Sequence, residues 1–538
     1  MSIKDETAAA VTAGYAFDGP ALDLGALVVD DEVIPDAQVR IPLGMLNRHG
    51  LVAGATGTGK TRTLQVMAEQ LSANGVPVFL ADIKGDLTGF TTEGEGGEKL
   101  LARTQGIGQD WTPERFPVDF YSLGGEGAGI PIRATITAFG PILLSKILGL
   151  NEVQESSLGL VFMFADQNGL PLLDLKDLRS VIQYLAGDEG KEALAALGGL
   201  SKATAGVLLR QLLTFEAQGA DVFFGEPEFD TADLLRTGPD GRGIISCLEL
   251  PAVQNRPELF STFLMWLLAE LFQTLPEVGD LEKPKLVFFF DEAHLLFNGA
   301  SKAFLQSIVQ TVRLIRSKGV GIFFVTQTPK DVPSDVLGQL GSRVQHALRA
   351  FTPDDAKALK ATVGTYPKSG YDLAEVLTSM GIGEAVVTVL SDKGVPTPVA
   401  WTRLRAPQSL MGEADAALIQ QVVTGSPVYP KYAFAIDRES AYEMLAARAA
   451  AAQAAAAAQA AAAAAPPDYG IADYGVPAQP KRAPARRTTA PRAPARSTRT
   501  REPENLVEAL LGTAAAKGFA QSLGKELTRG IFGTGRRR

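Results

Sequence analysis

The most informative motif of this 538-residue chain is Gly54-Ala55-Thr56-Gly57-Thr58-Gly59-Lys60-Thr61. It follows a short apolar run, residues 51–53, and it opens an amphipathic segment that extends to Ala73 with the apolar spacing of a helix. A glycine-rich loop between a strand and a helix can point its N–H groups at phosphate oxygens, and the helix N-terminus adds its positive dipole end. The stretch therefore predicts a P-loop that binds a nucleotide.

Each residue type in this loop has a predicted role. The glycines let the backbone approach the phosphates, Lys60 reaches the β- and γ-phosphates, and the hydroxyl of Thr61 binds Mg²⁺. Nucleotide binding is assigned to Gly54, Ala55, Thr56, Gly57, Thr58, Gly59, Lys60, Thr61 and Arg62. The alternative, a glycine-rich turn without a ligand, fits the flanking strand and helix less well.

A second pattern indicates hydrolysis of the nucleotide. Residues 286–290 (LVFFF) are fully apolar, as in a central strand of a parallel sheet, and Asp291 and Glu292 follow directly. Two carboxylates at the end of a buried strand are costly unless a cation is present. We expect Asp291 to hold Mg²⁺ through water and Glu292 to act as the general base; the alternative is a helix-capping acid pair. The guanine-recognition pattern Asn-Lys-x-Asp is absent, so ATP is the expected nucleotide.

Polar residues at other strand ends are further candidates. Gln327 follows an apolar strand and is predicted to sense the γ-phosphate and polarise the water, although its amide could instead bond to a loop backbone. Asp82, Lys84 and Asp86 follow the predicted strand 76–81, where ligands bind in open α/β sheets. They are expected either to contact the phosphates or the attacking water, or to form a turn.

Strands that alternate with helices predict an α/β fold with a doubly wound, mostly parallel sheet. The predicted divisions are a short N-terminal segment (1–49), a first part of the core (50–109), a helical insertion (110–240), a second part of the core (241–405), a helical extension (406–465), a disordered Pro/Ala/Arg linker (466–503) and a C-terminal amphipathic helix (504–538).

The charge distribution bears on possible partners. The net charge is −9, yet eight basic and no acidic residues lie between Lys481 and Arg501. The globular part is therefore acidic, whereas a nucleic-acid-binding surface is usually basic. The basic linker either grips nucleic acid or serves as a solubilising tether.

Composition excludes several classes of protein. One cysteine permits no internal disulfide, and three scattered histidines do not suggest a metal cluster. The N-terminus lacks the apolar core of a signal peptide, and no apolar run is long enough to predict a membrane span. A cytoplasmic protein is expected.

Three motifs stand in order along the chain: GATGTGKT (54–61), FFFDEAH (288–294) and RLIRSKGVGIFFVTQTP (313–329). Together with ADIKGDLTGF, FFGEPEFD and RVQHALRAFTP they resemble the HerA–FtsK group of P-loop ATPases, most of all the bacterial HerA-like proteins typified by YjgR. The resemblance covers most of residues 40–405. It implies a RecA-like ATPase core with a helical insertion, bound ATP and Mg²⁺, and a ring of up to six subunits that acts on DNA.

In such rings an arginine of the neighbouring subunit completes the ATP site. By motif position that arginine is Arg316, and Arg313 and Arg343 are the other candidates; a solvated helix charge is the alternative for Arg316. His294 is expected to be structural or to couple to Glu292. HerA itself carries an N-terminal β-barrel, for which residues 1–49 leave too little room.

Two functions remain open. The first is ATP hydrolysis coupled to DNA translocation or remodelling by an oligomeric ring, a hexamer or a smaller assembly. The second is an ATP-driven switch or scaffold for a protein partner, with the C-terminal tail as a docking arm, which the acidic core favours. Small-molecule kinase activity is disfavoured by Glu292 and by the insertion.

Overall fold

The computed structural model describes residues 3–196, 201–297 and 302–464. The described residues fall into two compact units, one up to Met444 and one from Leu445 onward. Of the second unit the structure describes residues 445–464, the alanine-rich end of one helix. The linker predicted at 466–503 and the helix predicted at 504–538 lie outside the described residues.

The strands of the described chain form one twelve-stranded sheet in the order β2-β1-β12-β11-β10-β3-β9-β8-β4-β7-β5-β6. The eight strands from β10 to β6 are parallel, and β11, β12, β1 and β2 extend the sheet with antiparallel pairings. The strands are β1 Ala21–Val29, β2 Glu32–Pro42, β3 Gly50–Ala53, β4 Val78–Asp82, β5 Val118–Leu123, β6 Ile130–Ile132, β7 Ile245–Glu249, β8 Leu286–Phe290, β9 Val320–Thr326, β10 Ser342–Gln345, β11 Glu384–Thr388 and β12 Ala400–Leu404.

Helices connect these strands and also form a block of their own after β6. The α-helices are α1 Ile3–Gly14, α2 Lys60–Ala73, α3 Glu98–Gly106, α4 Ile136–Ile147, α5 Glu152–Gln167, α6 Leu175–Ala186, α7 Lys191–Ala196, α8 Lys202–Ala217, α9 Pro257–Thr274, α10 His294–Phe297, α11 Lys302–Ile315, α12 Ser334–Leu337, α13 Pro353–Val363, α14 Leu373–Ser379, α15 Ala416–Gly425, α16 Tyr429–Tyr432 and α17 Ala441–Ala464. Short 3₁₀ helices span Leu43–Arg48, Thr88–Thr91, Asp221–Phe223, Thr231–Leu235, Pro251–Val253, Arg316–Lys318 and Pro329–Asp331.

The sheet is covered on both faces, as its apolar central strands require. All five residues of β8 are buried. Helix α2 connects β3 to β4, whereas α11 connects β8 to β9 in the opposite direction across the sheet. Because such crossovers are right-handed, these two helices lie on opposite faces. The predicted α/β fold with a doubly wound, mostly parallel P-loop core is confirmed.

Two segments contribute strands that their sequence patterns do not predict. The stretch 110–240 is predicted to be mostly helical, yet it begins with β5 and β6, and the helical block starts only at Ile136. The N-terminal segment forms α1 and the long strands β1 and β2, and β1 pairs with β12 from the other end of the core. The wider division into domains stays a prediction. None of the described helices has both the length and the apolar character needed to cross a membrane.

Candidate active site

The P-loop lies between the end of β3 at Ala53 and the start of α2 at Lys60. Gly59 caps α2 with a φ of 109°, a backbone angle that glycine adopts without strain. A Cβ on Gly54 would lie 2.4 Å from the Cβ of His346, so only glycine fits there. Because Gly59 has no side chain to cap the helix, the N–H groups of the first turn are available to an anion.

Lys60 reaches back over the loop. Its Nζ donates hydrogen bonds to Gly54 O at 2.7 Å and Ala55 O at 3.2 Å. Burial lowers the pKa of Lys60, and the nearby carboxylates of Glu292 and Asp291 oppose that shift. Bonds from an ammonium to phosphate oxygens are charge-assisted and stronger than bonds to neutral carbonyls. A triphosphate can therefore displace the two loop carbonyls as the partners of Lys60.

The two acids at the end of β8 lie close to this lysine. Glu292 has a φ of 46°, which is unusual for a residue with a side chain, and its N–H donates to Asp291 Oδ1 at 2.9 Å. Burial raises the pKa of Asp291 to about 7, and the charge of Glu292 adds to the shift. Glu292 Oε1 lies 3.8 Å from Lys84 Nζ, and its Oε2 lies 3.3 Å from His294 Nδ1.

These residues fit Mg²⁺ by their chemistry. Magnesium prefers oxygen ligands, and a divalent cation offsets the cost of burying two carboxylates side by side. Glu292 Oε2 is buried and accepts no hydrogen bond from the described residues. Asp291 and the hydroxyl of Thr61, in the first turn of α2, are the oxygens that would hold the ion.

The strand between the P-loop strand and the acidic strand is β9, which pairs with both β3 and β8. At its end Thr326 O accepts a hydrogen bond from Gly54 N at 3.2 Å, and its hydroxyl donates to Asp331 Oδ2 at 2.9 Å. Gln327 follows directly and is exposed. Gln327 thus follows the strand that lies between the P-loop strand and the acidic strand, and its role at the γ-phosphate stays a prediction.

Arg62 turns away from the loop. Its guanidinium donates to Gln65 Oε1 at 2.9 Å and to Met411 O at 3.1 Å. These contacts tie the first turn of α2 to the segment after β12. With its guanidinium in these contacts, Arg62 could bind the nucleotide as predicted only through its backbone or after a change of rotamer.

Arg316 lies at the amino end of the central strand β9, in a 3₁₀ turn, whereas the P-loop lies at the carboxyl ends of the parallel strands. A seven-residue strand separates these two ends by about 20 Å. Arg316 therefore lies far from the P-loop of its own chain. Arg313 is exposed on α11, and Arg343 in β10 donates to Thr365 Oγ1 at 2.7 Å.

Of the acids at the end of β4, Asp82 forms the turn, which is the second of the two roles predicted for it. Asp82 is buried and accepts hydrogen bonds from the N–H groups of Lys84, Gly85 and Leu87. Its carboxylate thus shapes the turn rather than facing the nucleotide. Lys84, by contrast, directs its ammonium towards Glu292.

His346 forms hydrogen bonds to the P-loop and to the first turn of α2, a role that the sequence does not predict. The residue is fully buried, and burial lowers the pKa of His346 to about 4, so the ring is neutral. Nδ1 donates to Thr58 O at 3.1 Å, and Nε2 accepts from Thr63 Oγ1 at 2.9 Å. Gly383 N also donates to Thr58 O, at 3.0 Å. A lone histidine after a strand does not indicate this contact, because His346 lies beside the P-loop in the fold but far from it in the sequence.

Replacing His346 by alanine is expected to raise the KM for ATP about tenfold, because Thr58 of the P-loop and Thr63 in the first turn of α2 each lose a hydrogen bond. The cavity and the unpaired polar groups should also lower the free energy of unfolding by about 2–4 kcal/mol. His49→Ala is the matched control. His49 is equally buried and bonds to Val312 O at 2.7 Å at the other edge of the sheet, so its loss should destabilise the fold without changing ATP affinity. Equal effects of the two variants on KM would contradict a specific role for His346.

Comparisons with known proteins concern the family and the fold. A family model described as "Helicase HerA-like C-terminal" matches residues 28–538. The DNA double-strand break repair helicase HerA of Sulfurisphaera tokodaii is 24% identical over 368 residues, 68% of this chain and 66% of that protein. The HerA of Sulfolobus acidocaldarius is 22% identical over 359 residues, 65% of this chain and 64% of that protein. The chain thus spans just under two thirds of the length of these two relatives.

A solved structure shows the same fold. The bacterial conjugative coupling protein TrwB, in an unbound form, aligns with a TM-score of 0.50 and 14% identity. The alignment covers 76% of this chain and 94% of the TrwB chain. At this level of identity the likeness concerns the fold alone.

Proposed function

Because the chain belongs to the family of HerA-like helicase C-terminal regions, we propose that it is an Mg²⁺-dependent ATPase that couples hydrolysis to DNA translocation or remodelling. One observation carries the ATPase proposal. Lys60 interacts electrostatically with the adjacent acids Asp291 and Glu292, which are far from it in sequence, beside an open helix N-terminus.

The residues divide the work of phosphoryl transfer. The loop from Gly54 to Thr61 binds the phosphates, and Lys60 neutralises charge on the β- and γ-phosphates. Glu292 accepts a proton from the attacking water, and Gln327 orients that water. Thr61 and Asp291 would hold Mg²⁺, which would neutralise phosphate charge when bound.

We place a second subunit beside this site. Arg316 lies too far from its own P-loop to act there, and its position before β9 is the one expected of an arginine that reaches a neighbour. A ring, hexameric or smaller, would present Arg316 of one subunit to the γ-phosphate of the next. The protein is therefore proposed to hydrolyse ATP as a homo-oligomer.

The proposal that DNA is the substrate draws on the relatives. Those matched over most of the chain are named as DNA double-strand break repair helicases. The test is steady-state ATP hydrolysis with and without double-stranded DNA, together with the native mass in the presence of ATP. We expect an oligomer whose hydrolysis rises when DNA is added. A monomer whose rate of ATP hydrolysis does not change with DNA would exclude the function as a DNA motor but not the ATPase activity.

The alternative function is an ATP-driven switch or scaffold that acts on a protein partner. The net charge of −9 favours it, because an acidic surface repels nucleic acid. The basic run 481–501 and the tail that would dock the partner lie outside the described residues. DNA-indifferent hydrolysis by an oligomer would favour this second function.

Replacing Lys60 by alanine is expected to weaken ATP binding about 10- to 100-fold, because one charge-assisted hydrogen bond to phosphate is worth about 1.5–3 kcal/mol. Equilibrium binding of ATP measures the change, and circular dichroism shows whether the variant folds. Lys357→Ala, an exposed lysine on α13, is the control. Unchanged ATP affinity in Lys60→Ala would mean that the loop does not bind phosphate through this residue.

A further inference from the structure

Lys84 lies beside the acidic strand because of strand order. It follows β4 by two residues, and β4 pairs with β8 in parallel, with Leu80 opposite Phe289. Two residues further along each strand, Asp82 comes level with Asp291. The turn after β4 and the acids after β8 therefore occupy neighbouring positions at the same edge of the sheet.

The backbone of this turn is fixed, whereas the lysine side chain is not buried. Asp82 Oδ1 accepts from Gly85 N at 2.7 Å and from Lys84 N at 3.2 Å, and Oδ2 accepts from Leu87 N at 2.7 Å. The side chain of Lys84 remains 52% exposed. A flexible four-carbon stem thus extends from an anchored Cα towards the site.

The ammonium of Lys84 faces one oxygen of Glu292. Nζ lies 3.8 Å from Oε1, and the Glu292 side chain is only 16% exposed. Its other oxygen, Oε2, accepts no hydrogen bond from the described residues. His294 Nδ1, 3.3 Å from Oε2, carries charge only when protonated, whereas a lysine is charged at neutral pH. Lys60 is committed elsewhere, to the loop carbonyls.

We propose that Lys84 is a positioning residue for the ATPase reaction: its ammonium holds Oε1 of Glu292 and so directs Oε2 at the attacking water. This inference rests on the proposed function, because it concerns the general base of that reaction. Lys84 acts through Glu292 and makes no contact with the nucleotide. The Glu292 backbone, at a φ of 46°, sets the direction in which the side chain leaves the chain, and Lys84 sets the position of its carboxylate.

The experiment compares Lys84→Met, which keeps the length of the side chain and removes its charge, with Lys84→Arg, which keeps the charge. Lys357→Met on α13 is the matched control for losing an exposed lysine. For each full-length variant we would measure kcat, KM and the affinities for ATP and ADP. Each change is then repeated in a Glu292→Gln background.

Lys84→Met is expected to lower kcat about 10- to 100-fold, the effect of a misplaced catalytic group. KM and both affinities should stay unchanged, Lys84→Arg should recover part of the rate, and Lys84→Met should add no further loss to Glu292→Gln. Three results would overturn the inference: a normal kcat, a loss that adds fully to that of Glu292→Gln, or weaker binding of ATP with unchanged binding of ADP, which indicates a direct contact with the γ-phosphate. If the wild type does not hydrolyse ATP, the proposed function fails; if only the Lys84 variants behave as wild type, only this inference fails.

Discussion

An Arg316→Ala variant should hydrolyse ATP about 10³- to 10⁵-fold more slowly than the wild type, while its ATP affinity stays largely unchanged. An arginine finger stabilises charge that develops on the phosphoryl group in the transition state, so its loss affects kcat more than binding. Because Arg316 lies far from its own P-loop, it could supply this charge only to the site of a neighbouring subunit.

Mixing variants tests that requirement directly. Arg316→Ala retains an intact P-loop, and Lys60→Ala retains an intact arginine. In mixed rings some interfaces combine the two intact halves, so a mixture of two inactive variants should regain part of the wild-type rate. Arg313→Ala, in the last turn of α11, and Arg343→Ala, whose side chain bonds to Thr365, test the two alternative arginines in the same way. A mixture that forms shared rings but stays inactive would exclude Arg316 as the arginine that acts between subunits.

Glu292→Gln is expected to lower kcat about 10²- to 10⁴-fold, the usual contribution of a general base. Glutamine keeps the size and polarity of the side chain but cannot accept the proton of water. ATP should still bind, because Lys60 and the loop are unchanged. Single-turnover hydrolysis and equilibrium binding of ATP separate the two effects.

The matched control for this change is Glu249→Gln. Glu249 is a buried acid at the end of β7, at the same edge of the sheet, and burial raises the pKa of Glu249 to about 8. A carboxyl that is already mostly neutral at pH 7 should tolerate an amide with little change in kcat. Normal turnover by Glu292→Gln would remove Glu292 from the role of base.

The local elements of this site could be predicted from the sequence. The fully apolar run before Asp291 can satisfy its backbone and bury its side chains only inside a covered sheet, so β8 matches residues 286–290. The glycines of the P-loop are a clear sequence signal, because their positions either have no room for a Cβ or require a positive φ. Residues 60–73 form α2, because an apolar stripe at helical spacing has one way to be buried.

Only the folded chain shows which of these elements lie next to each other. Strand order depends on hydrogen bonds between distant segments, and no local pattern shows that β9 lies between β3 and β8 or that β1 closes on β12. The same long-range pairing brings His346 under the P-loop, sets Lys84 beside Glu292 and places Arg316 at the far edge. Spacing within a sequence fixes the face and type of an element, whereas the neighbours of a strand follow from how the whole apolar surface is buried. The P-loop and the two acids after β8 were therefore predictable from local sequence patterns, whereas the contacts of His346 with Thr58 and of Lys84 with Glu292 were not.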